Sequence, residues 1–345
     1  MGKNIYQELL ERTRKNETVI LETAVKRRSG KITEGIARSL KTAKPVTDEK
    51  GRNCYHVEEL IEGDKTIIRE PVSPPERLLI FGGGHISLPL SQFAVACGLS
   101  VYVVDDRQEF ANRGRFSHVA EVICDTFQNA IQKLKITPYD FVVIITRGHA
   151  HDAECLRAIL PGTQPAYLGM IGSRRRVRAQ FEMLLQEGYE KEKLDRIHTP
   201  IGLNIGGVTP AEIAISIMAE IIACKRMPQS GKGEEHCFNE SDLEADMIEK
   251  LAMEKEPAAL VTLIESNGST PRKAGAKMMV KPDGSIVGTI GGGLSEGLSI
   301  KEALHLIGTG EYKILDFDLS GNVAETDGMA CGGFSRVLIE DMQQG

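Results

Sequence analysis

Arg77-Leu78-Leu79-Ile80-Phe81-Gly82-Gly83-Gly84-His85-Ile86-Ser87 is the stretch on which the reading of this chain turns. Its first half is a continuous apolar run, the pattern of a strand buried on both faces of a parallel sheet. A glycine turn follows, and then an apolar-periodic helix from about Ile86 to Cys97. Strand, glycine turn and helix in that order are the context that gives a glycine fingerprint its meaning. Gly82 permits the tight turn, and Gly84 lets backbone amides approach a phosphate at the helix N-terminus. The third fingerprint position is Ser87 rather than glycine. Asp105 ends the next apolar run, Ser100 to Val104, about 20 residues on, where a carboxylate can accept hydrogen bonds from a ribose.

Outward from this unit the alternation continues. Val119 to Cys124, Phe141 to Ile145 and Ala166 to Met170 read as strands. Gln128 to Leu134, Asp152 to Leu160 and Arg174 to Glu187 read as helices. Such repetition means βαβ units and an α/β, Rossmann-like, doubly wound parallel sheet. A Gly-rich loop, Pro200 to Gly207, precedes a helix from Thr209-Pro210 to about Cys224, with threonine as N-cap and proline in the first turn. Residues 1–76 are poorly readable: Tyr6 to Arg14 looks helical, Thr18 to Lys26 extends that pattern, and Pro71 to Pro75 punctuates the chain. The division expected is therefore a 1–76 segment, a Rossmann-like domain over 77–226, a linker over 227–240 and an α+β domain over 241–345. In the last, Ser241 to Glu256 and Ser295 to Leu306 read as helices. Strands fall at Ala259 to Glu265, Lys277 to Val280, Ile286 to Ile290, Lys313 to Phe317 and Arg336 to Ile339.

Composition limits the function classes. The 345 residues are 41% hydrophobic and 26% charged, as in a folded soluble protein. No apolar run reaches the length of a membrane span, and the N-terminus has no signal core. With 42 basic against 48 acidic residues and a net charge of −6, the chain has no nucleic-acid footprint. Tryptophan is absent and aromatics are 5%, which also argues against base-stacking platforms. Seven cysteines, an odd number with no Cys-x-x-Cys, argue against a disulfide framework or zinc ribbon and for a reducing cytoplasm.

Several loops carry chemistry. Thr146-Arg147-Gly148-His149-Ala150-His151-Asp152 follows the fourth strand, where open α/β sheets place ligands. Its His-x-His could ligate a metal from an extended loop, although the binuclear hydrolase motif is incomplete. Asp152 could equally cap the helix that follows. Ser173-Arg174-Arg175-Arg176 opens a helix with positive charge against its dipole, which is unhelpful without an anion nearby and harmless on a solvated face. In the second block, Gly291-Gly292-Gly293 repeats the strand–glycine–helix logic as an anion cradle, beside Arg272. Gly328-Met329-Ala330-Cys331-Gly332-Gly333 sets a cysteine among small residues, open to a ligand or to burial.

Together these motifs resemble the xanthine dehydrogenase accessory factors of the XdhC/CoxI family. The resemblance is carried by Pro74 to His85, Val103-Val104-Asp105-Asp106-Arg107, Tyr167 to Arg174, Pro200 to Leu203, Gly268 to Arg272, Gly291 to Glu296 and Cys331-Gly332-Gly333. It covers about 71–340. It implies a cytoplasmic maturation factor, a chaperone more than a metabolic enzyme. Such a factor binds molybdenum cofactor, assists its sulfuration, and delivers it to a molybdenum hydroxylase, with a cysteine desulfurase as sulfur source and a homodimer as the assembly. Cys331 would face sulfur or molybdenum, and Glu296 would be a polar contact or base. Gly82, Gly84, His85, Asp105, Ser173, Arg174, Arg272, Gly291, Gly292 and Gly293 would bind the phosphate-bearing ligand. Two departures stand out. The Gly-Ser-Thr-Pro-Arg block follows the Rossmann-like block instead of preceding it, and Leu294 stands where the family commonly has a cysteine. The alternatives from other classes are an NAD(P)-dependent oxidoreductase using Gly82, Gly84 and Asp105, and a metal-dependent hydrolase using His149, His151 and Asp152.

Overall fold

Five apolar runs become five parallel strands, Arg77–Phe81, Ser100–Asp105, Glu121–Cys124, Asp140–Ile144 and Tyr167–Met170. The computed structural model describes residues 4–26, 36–43, 46–47, 53–55, 57–62, 65–226, 238–239, 241–243, 245–268, 270–318 and 333–342. Across the sheet the order is Tyr167–Met170, Asp140–Ile144, Arg77–Phe81, Ser100–Asp105, Glu121–Cys124. The chain winds from the first strand to one edge, then returns to the other side of that strand. The switch point lies between Arg77–Phe81 and Asp140–Ile144, where such sheets open a crevice at their carboxyl ends. Phe81 stands opposite both Ile144 and Val104, so the loops leaving these three strands emerge at one level.

Burial explains why these runs are so apolar. Leu79, Ile80, Phe81, Val142, Val143 and Ile144 are fully buried, because helices cover both faces. Helices Ser87–Ala96 and Pro210–Arg226 cover one face, with Leu90, Ala94, Ile217 and Ile221 in its core. Helices Phe127–Leu134, His149–Ile159 and Arg174–Gln186 cover the other, with Ala130, Leu156, Ile159 and Leu184 in that core. The helix at Pro210 begins with a capping box: Glu212 accepts the Thr209 amide at 2.9 Å, and Thr209 Oγ1 accepts the Glu212 amide at 3.4 Å. At the opposite end of the sheet Arg77 grips the fully buried Asp140, Nε to Oδ1 at 2.7 Å and a terminal nitrogen to Oδ2 at 2.6 Å. That pair joins the first and fourth strands in register.

The described fold falls into two compact units, Pro75–Phe238 and a second made of Met1–Pro74 with Asn239–Gly345. The N-terminal segment is therefore not a separate piece. Helix Ile5–Arg14 packs on helix Ala245–Met253 through Tyr6, Leu9, Met247, Ile248 and Leu251. Thr18 to Lys26, expected to extend a helix, is the strand Val19–Lys26, with burial alternating at Val19, Leu21, Thr23 and Val25. The period of 2 outweighed an ambiguous helical reading. This strand lies between Ile36–Thr42 and Lys65–Val72 in an antiparallel sheet completed by Glu58–Glu62. The α+β part centres on Ala259–Gly268, flanked by Lys277–Val280 and Gly333–Asp341, with Ile286–Gly288 and Tyr312–Asp318 at the edges and helix Gly293–Leu306 packed on it. Two ion pairs join its two sheets: in a buried one Lys277 Nζ meets Glu70 Oε1 at 2.6 Å, and in a part-buried one Arg38 pairs with Glu340.

Candidate functional site

The first glycine turn is held from within. Gly82 has φ +116°, and a Cβ there would sit 2.3 Å from the Ile145 carbonyl oxygen, so the turn packs directly on the loop after the fourth strand. The Gly83 amide donates to Asp105 Oδ2 at 2.8 Å. Arg107 also donates to Asp105, through its backbone amide at 3.1 Å and its guanidinium at 2.9 and 3.0 Å. Asp105 is 1% exposed. Its carboxylate thus fixes the glycine turn and Arg107, rather than standing open to a ribose. Arg115 donates to the carbonyl oxygens of Gly83 and Gly84 at 3.2 and 3.0 Å. Gly84 faces open space and His85 is exposed. Across the switch point Arg147 and Asp106 form a two-pronged ion pair, with one contact at 2.8 Å.

The second glycine turn is filled in the same way. Gly291, Gly292 and Gly293 have φ of +125°, +75° and +70°, three successive left-handed residues that explain the triple glycine by backbone geometry. The Glu296 carboxylate accepts the Ile290 and Gly292 amides at 3.0 and 3.1 Å, and the Thr289 hydroxyl as well. Burial opposes its charge, but the Thr289 hydroxyl and these amides hold the carboxyl below the usual carboxylate range. Glu296 is therefore the anion at the start of helix Gly293–Leu306. Arg272 is engaged by Asp242, with Nε to Oδ2 at 2.7 Å and a terminal nitrogen to the Asp242 carbonyl at 2.9 Å. Cys331 lies outside the described residues.

A concave seat opens elsewhere. Thr146, Arg147, Gly148 and His149 after the fourth strand, Ile171 to Ser173 after the fifth, and Pro200, Ile201 and Ile213 wall a cleft of about 440 Å³. That volume falls in the range of small-molecule sites. Two helices begin at it, with Gly148 and Ser173 as N-caps, and neither has a side-chain cap hydrogen bond. The first amides of a helix lack intrahelical partners and favour an anion. The Ser173 helix has no acidic residue in its first turn. Arg176 and, one turn further, Gln180 line the cleft. Gln180 is 8% exposed and its Nε2 has no hydrogen-bond partner among the described residues. A buried donor left unpaired costs about 1–3 kcal/mol, and a bound acceptor would relieve it. Asp152, on the opposite wall, accepts the Thr146 hydroxyl at 2.6 Å. Burial pushes its carboxyl up despite that bond.

The sequence points to Ser173 and Arg174. Both are exposed at the helix start, but the arginine that lines the cleft is Arg176. Gln180 escapes a reading of motifs. Its signal is the i,i+4 spacing from Arg176 on one helix face. His149 and His151 do not converge, because the helix starts at His149 and residues two apart on a helix diverge. His149 lines the cleft, whereas His151 lies edge-on to Phe127 at 5.6 Å and near Glu154 at 3.4 Å. Among the described residues no group of three His, Cys, Asp or Glu side chains could hold a metal ion. Nor is any described helix long and apolar enough to cross a membrane.

Comparison with known proteins follows the two blocks. Residues 78–221 match the family model described as the XdhC Rossmann domain, and residues 251–318 match that of the XdhC and CoxI family. The chain is 36% identical over 157 residues to "Uncharacterized protein YqeB" of Escherichia coli K12, a match spanning 45% of this chain and 28% of that protein. It is 29% identical over 155 residues to a Bacillus subtilis protein named as a probable subunit of xanthine dehydrogenase, spanning 45% of this chain and 44% of the relative. It is 43% identical over 53 residues to the E. coli molybdenum cofactor insertion chaperone PaoD, 15% of this chain and 17% of PaoD. The chain thus covers less than half of each of these relatives. A solved structure named as a xanthine dehydrogenase from Bacillus halodurans aligns at 26% identity and TM-score 0.49, over 66% of this chain and 65% of that one.

Proposed function

The chain belongs to the XdhC and CoxI family, and from that premise we propose that it is a maturation factor which binds molybdenum cofactor, assists its sulfuration and delivers it to a xanthine dehydrogenase-type molybdenum hydroxylase. The names of the B. subtilis relative and of PaoD support a hydroxylase client and a cofactor cargo. The observation that carries the reading is the cleft at the carboxyl ends of the fourth and fifth strands, which joins an uncapped basic helix start to the orphaned Gln180 donor.

The cargo has a phosphate, a pterin and a dithiolene-bound metal. Its phosphate suits the Ser173 helix start beside Arg176. Gln180 Nε2 suits a carbonyl oxygen or ring nitrogen deeper in the cleft. Thr146 and Asp152 form the opposite wall, and Ile171, Val177 and Ile213 supply apolar surface. The work of these side chains is to hold and release, without turnover of a free metabolite. The reading also includes a cytoplasmic location, a cysteine desulfurase as sulfur source, a homodimeric assembly and Cys331 as the residue facing sulfur or molybdenum. The alternative, an NAD(P)-dependent oxidoreductase, has less support because Asp105 is committed to Gly83 and Arg107.

A client hydroxylase isolated from a molybdate-fed host with and without this chain tests the proposal. The expected result is high activity and cyanide-releasable sulfur only when the chain is present. Equal activity in both preparations would overturn it.

A further inference from the structure

Three groups outside the cleft meet at the edge of the parallel sheet. His198 pairs by its backbone with the edge strand, donating to the Leu168 carbonyl at 2.8 Å and accepting the Met170 amide at 3.0 Å. Its Nε2 lies 3.8 Å from Cys224 Sγ and its Nδ1 lies 3.2 Å from Glu220 Oε1. Glu220 is held in turn by the Tyr167 hydroxyl at 2.6 Å and the Gly202 amide at 2.8 Å. The Tyr167 ring lies over the imidazole, with centroids 4.6 Å apart. A sulfur beside an imidazole that a carboxylate orients is the arrangement of an activated nucleophile. Cys224 is half-buried rather than enclosed, so a reagent can reach it.

We propose that Cys224, His198 and Glu220 form a thiol-exchange site that attacks divalent sulfur, in a disulfide or a persulfide. Burial disfavours a charged imidazole, but the neighbouring Cys224 sulfur and Glu220 carboxylate outweigh it and lift His198 to about 9. At neutral pH the site therefore holds an imidazolium next to the sulfur. Tyr167 faces the same carboxylate, and burial keeps its phenol neutral. Lys225, next along the helix, is occupied by Glu76. The helix C-terminus favours the imidazolium, and activation of the sulfur falls to its contact with His198.

Attack on a carbonyl fits less well. The amides of His198, Ile201, Gly202 and Leu203 are donated to Leu168, Met170, Glu220 and Ser216, and Pro200 has none. Between His198 and Leu203 no adjacent pair of amides is left to hold an oxyanion. Exchange at sulfur needs no such pair. For a substrate R–S–S–X, with X a carbon group or hydrogen, the Cys224 thiolate attacks the sulfur bearing X. A new sulfur–sulfur bond forms as the old one breaks, and its electron pair leaves on R–S, which takes the His198 proton. The products are Cys224–S–S–X, R–SH and neutral imidazole, with no oxidant or reductant consumed. This chemistry does not depend on the reading of the cleft.

The test uses the full chain. Iodoacetamide labelling against pH, mapped by peptide mass spectrometry, compares Cys224 with the exposed Cys97 and Cys124. Below pH 7, Cys224 is expected to react at least about 10-fold faster than either, and both His198→Gln and Glu220→Gln should abolish the difference while circular dichroism stays unchanged. Glutathione persulfide should leave one extra sulfur on Cys224, and dipyridyl disulfide a mixed disulfide. Either adduct supports the site and tells which substrate it takes. Gln180→Leu, which tests the cleft, should leave this reactivity intact. Labelling of Cys224 in step with Cys97 and Cys124, or no adduct from either sulfur reagent, would overturn the proposal. Should His198→Gln fail to fold, the wild-type pH profile alone decides.

Discussion

Gln180 stands one helical turn beyond Arg176, and both line one cleft: a buried donor with no partner among the described residues, beside a cation at a helix start without a side-chain cap. A group kept in that condition weakens the empty protein. Gln180→Leu removes the unpaired donor, so the variant should be more stable by about 1 kcal/mol. It should also bind a phosphate-bearing pterin at least about 10-fold more weakly. Thermal unfolding and calorimetry read the two effects, and a variant that loses stability without losing affinity would assign Gln180 to packing.

Glu296 holds the second glycine turn. Its folded carboxyl lies below its unfolded value, so its contribution is fully present above about pH 5 and is lost as pH falls through the lower folded value. Glu296→Ala leaves the Ile290 and Gly292 amides without this acceptor and should cost about 1–3 kcal/mol at pH 7. Glu296→Gln, which keeps an acceptor oxygen, should cost less. Urea unfolding from pH 7 down to about 3 should show the gap to wild type closing below about pH 4.

Asp105 is the corresponding residue at the first turn. Asp105→Ala strips a buried acceptor from Gly83 and Arg107 and should destabilise the protein by about 3 kcal/mol. Asp105→Asn keeps an oxygen for the Gly83 amide and should recover part of that loss. Equal urea midpoints for wild type and Asp105→Ala would show that the turn does not depend on this carboxylate.

His198 gives a pH dependence of the opposite sign. Its folded value of about 9 lies above the ordinary imidazole value. Its contribution is fully present below about pH 6.5 and disappears as pH rises through about 9. His198→Gln should therefore cost about 2 kcal/mol at pH 6 and much less near pH 10, measured by urea unfolding at each pH. A gap that does not change with pH would mean that His198 is neutral in the fold.

The parallel sheet was legible because Leu79 to Phe81 and Val142 to Ile144 must be apolar on both faces, a signal that needs no knowledge of partners. The four-stranded sheet of the N-terminal segment was hidden. Val19–Lys26 reads either way alone, and its strand partners are joined to distant residues such as Glu340 and Lys277. The glycine turns were legible, but not what fills them. Asp105 reaching Gly83 and Glu296 reaching Gly292 are contacts that spacing permits without requiring. Cys224 and Glu220 lie four apart on one helix, whereas His198 joins them only through the sheet edge.

Native mass spectrometry of the protein purified from a molybdate-fed host, wild type beside the doubly substituted Arg176→Ala, Gln180→Leu chain, tests the central claim most directly. The wild type should retain a molybdopterin mass and the variant should lose it. A pterin retained equally by both, or a wild type that carries none, would contradict it.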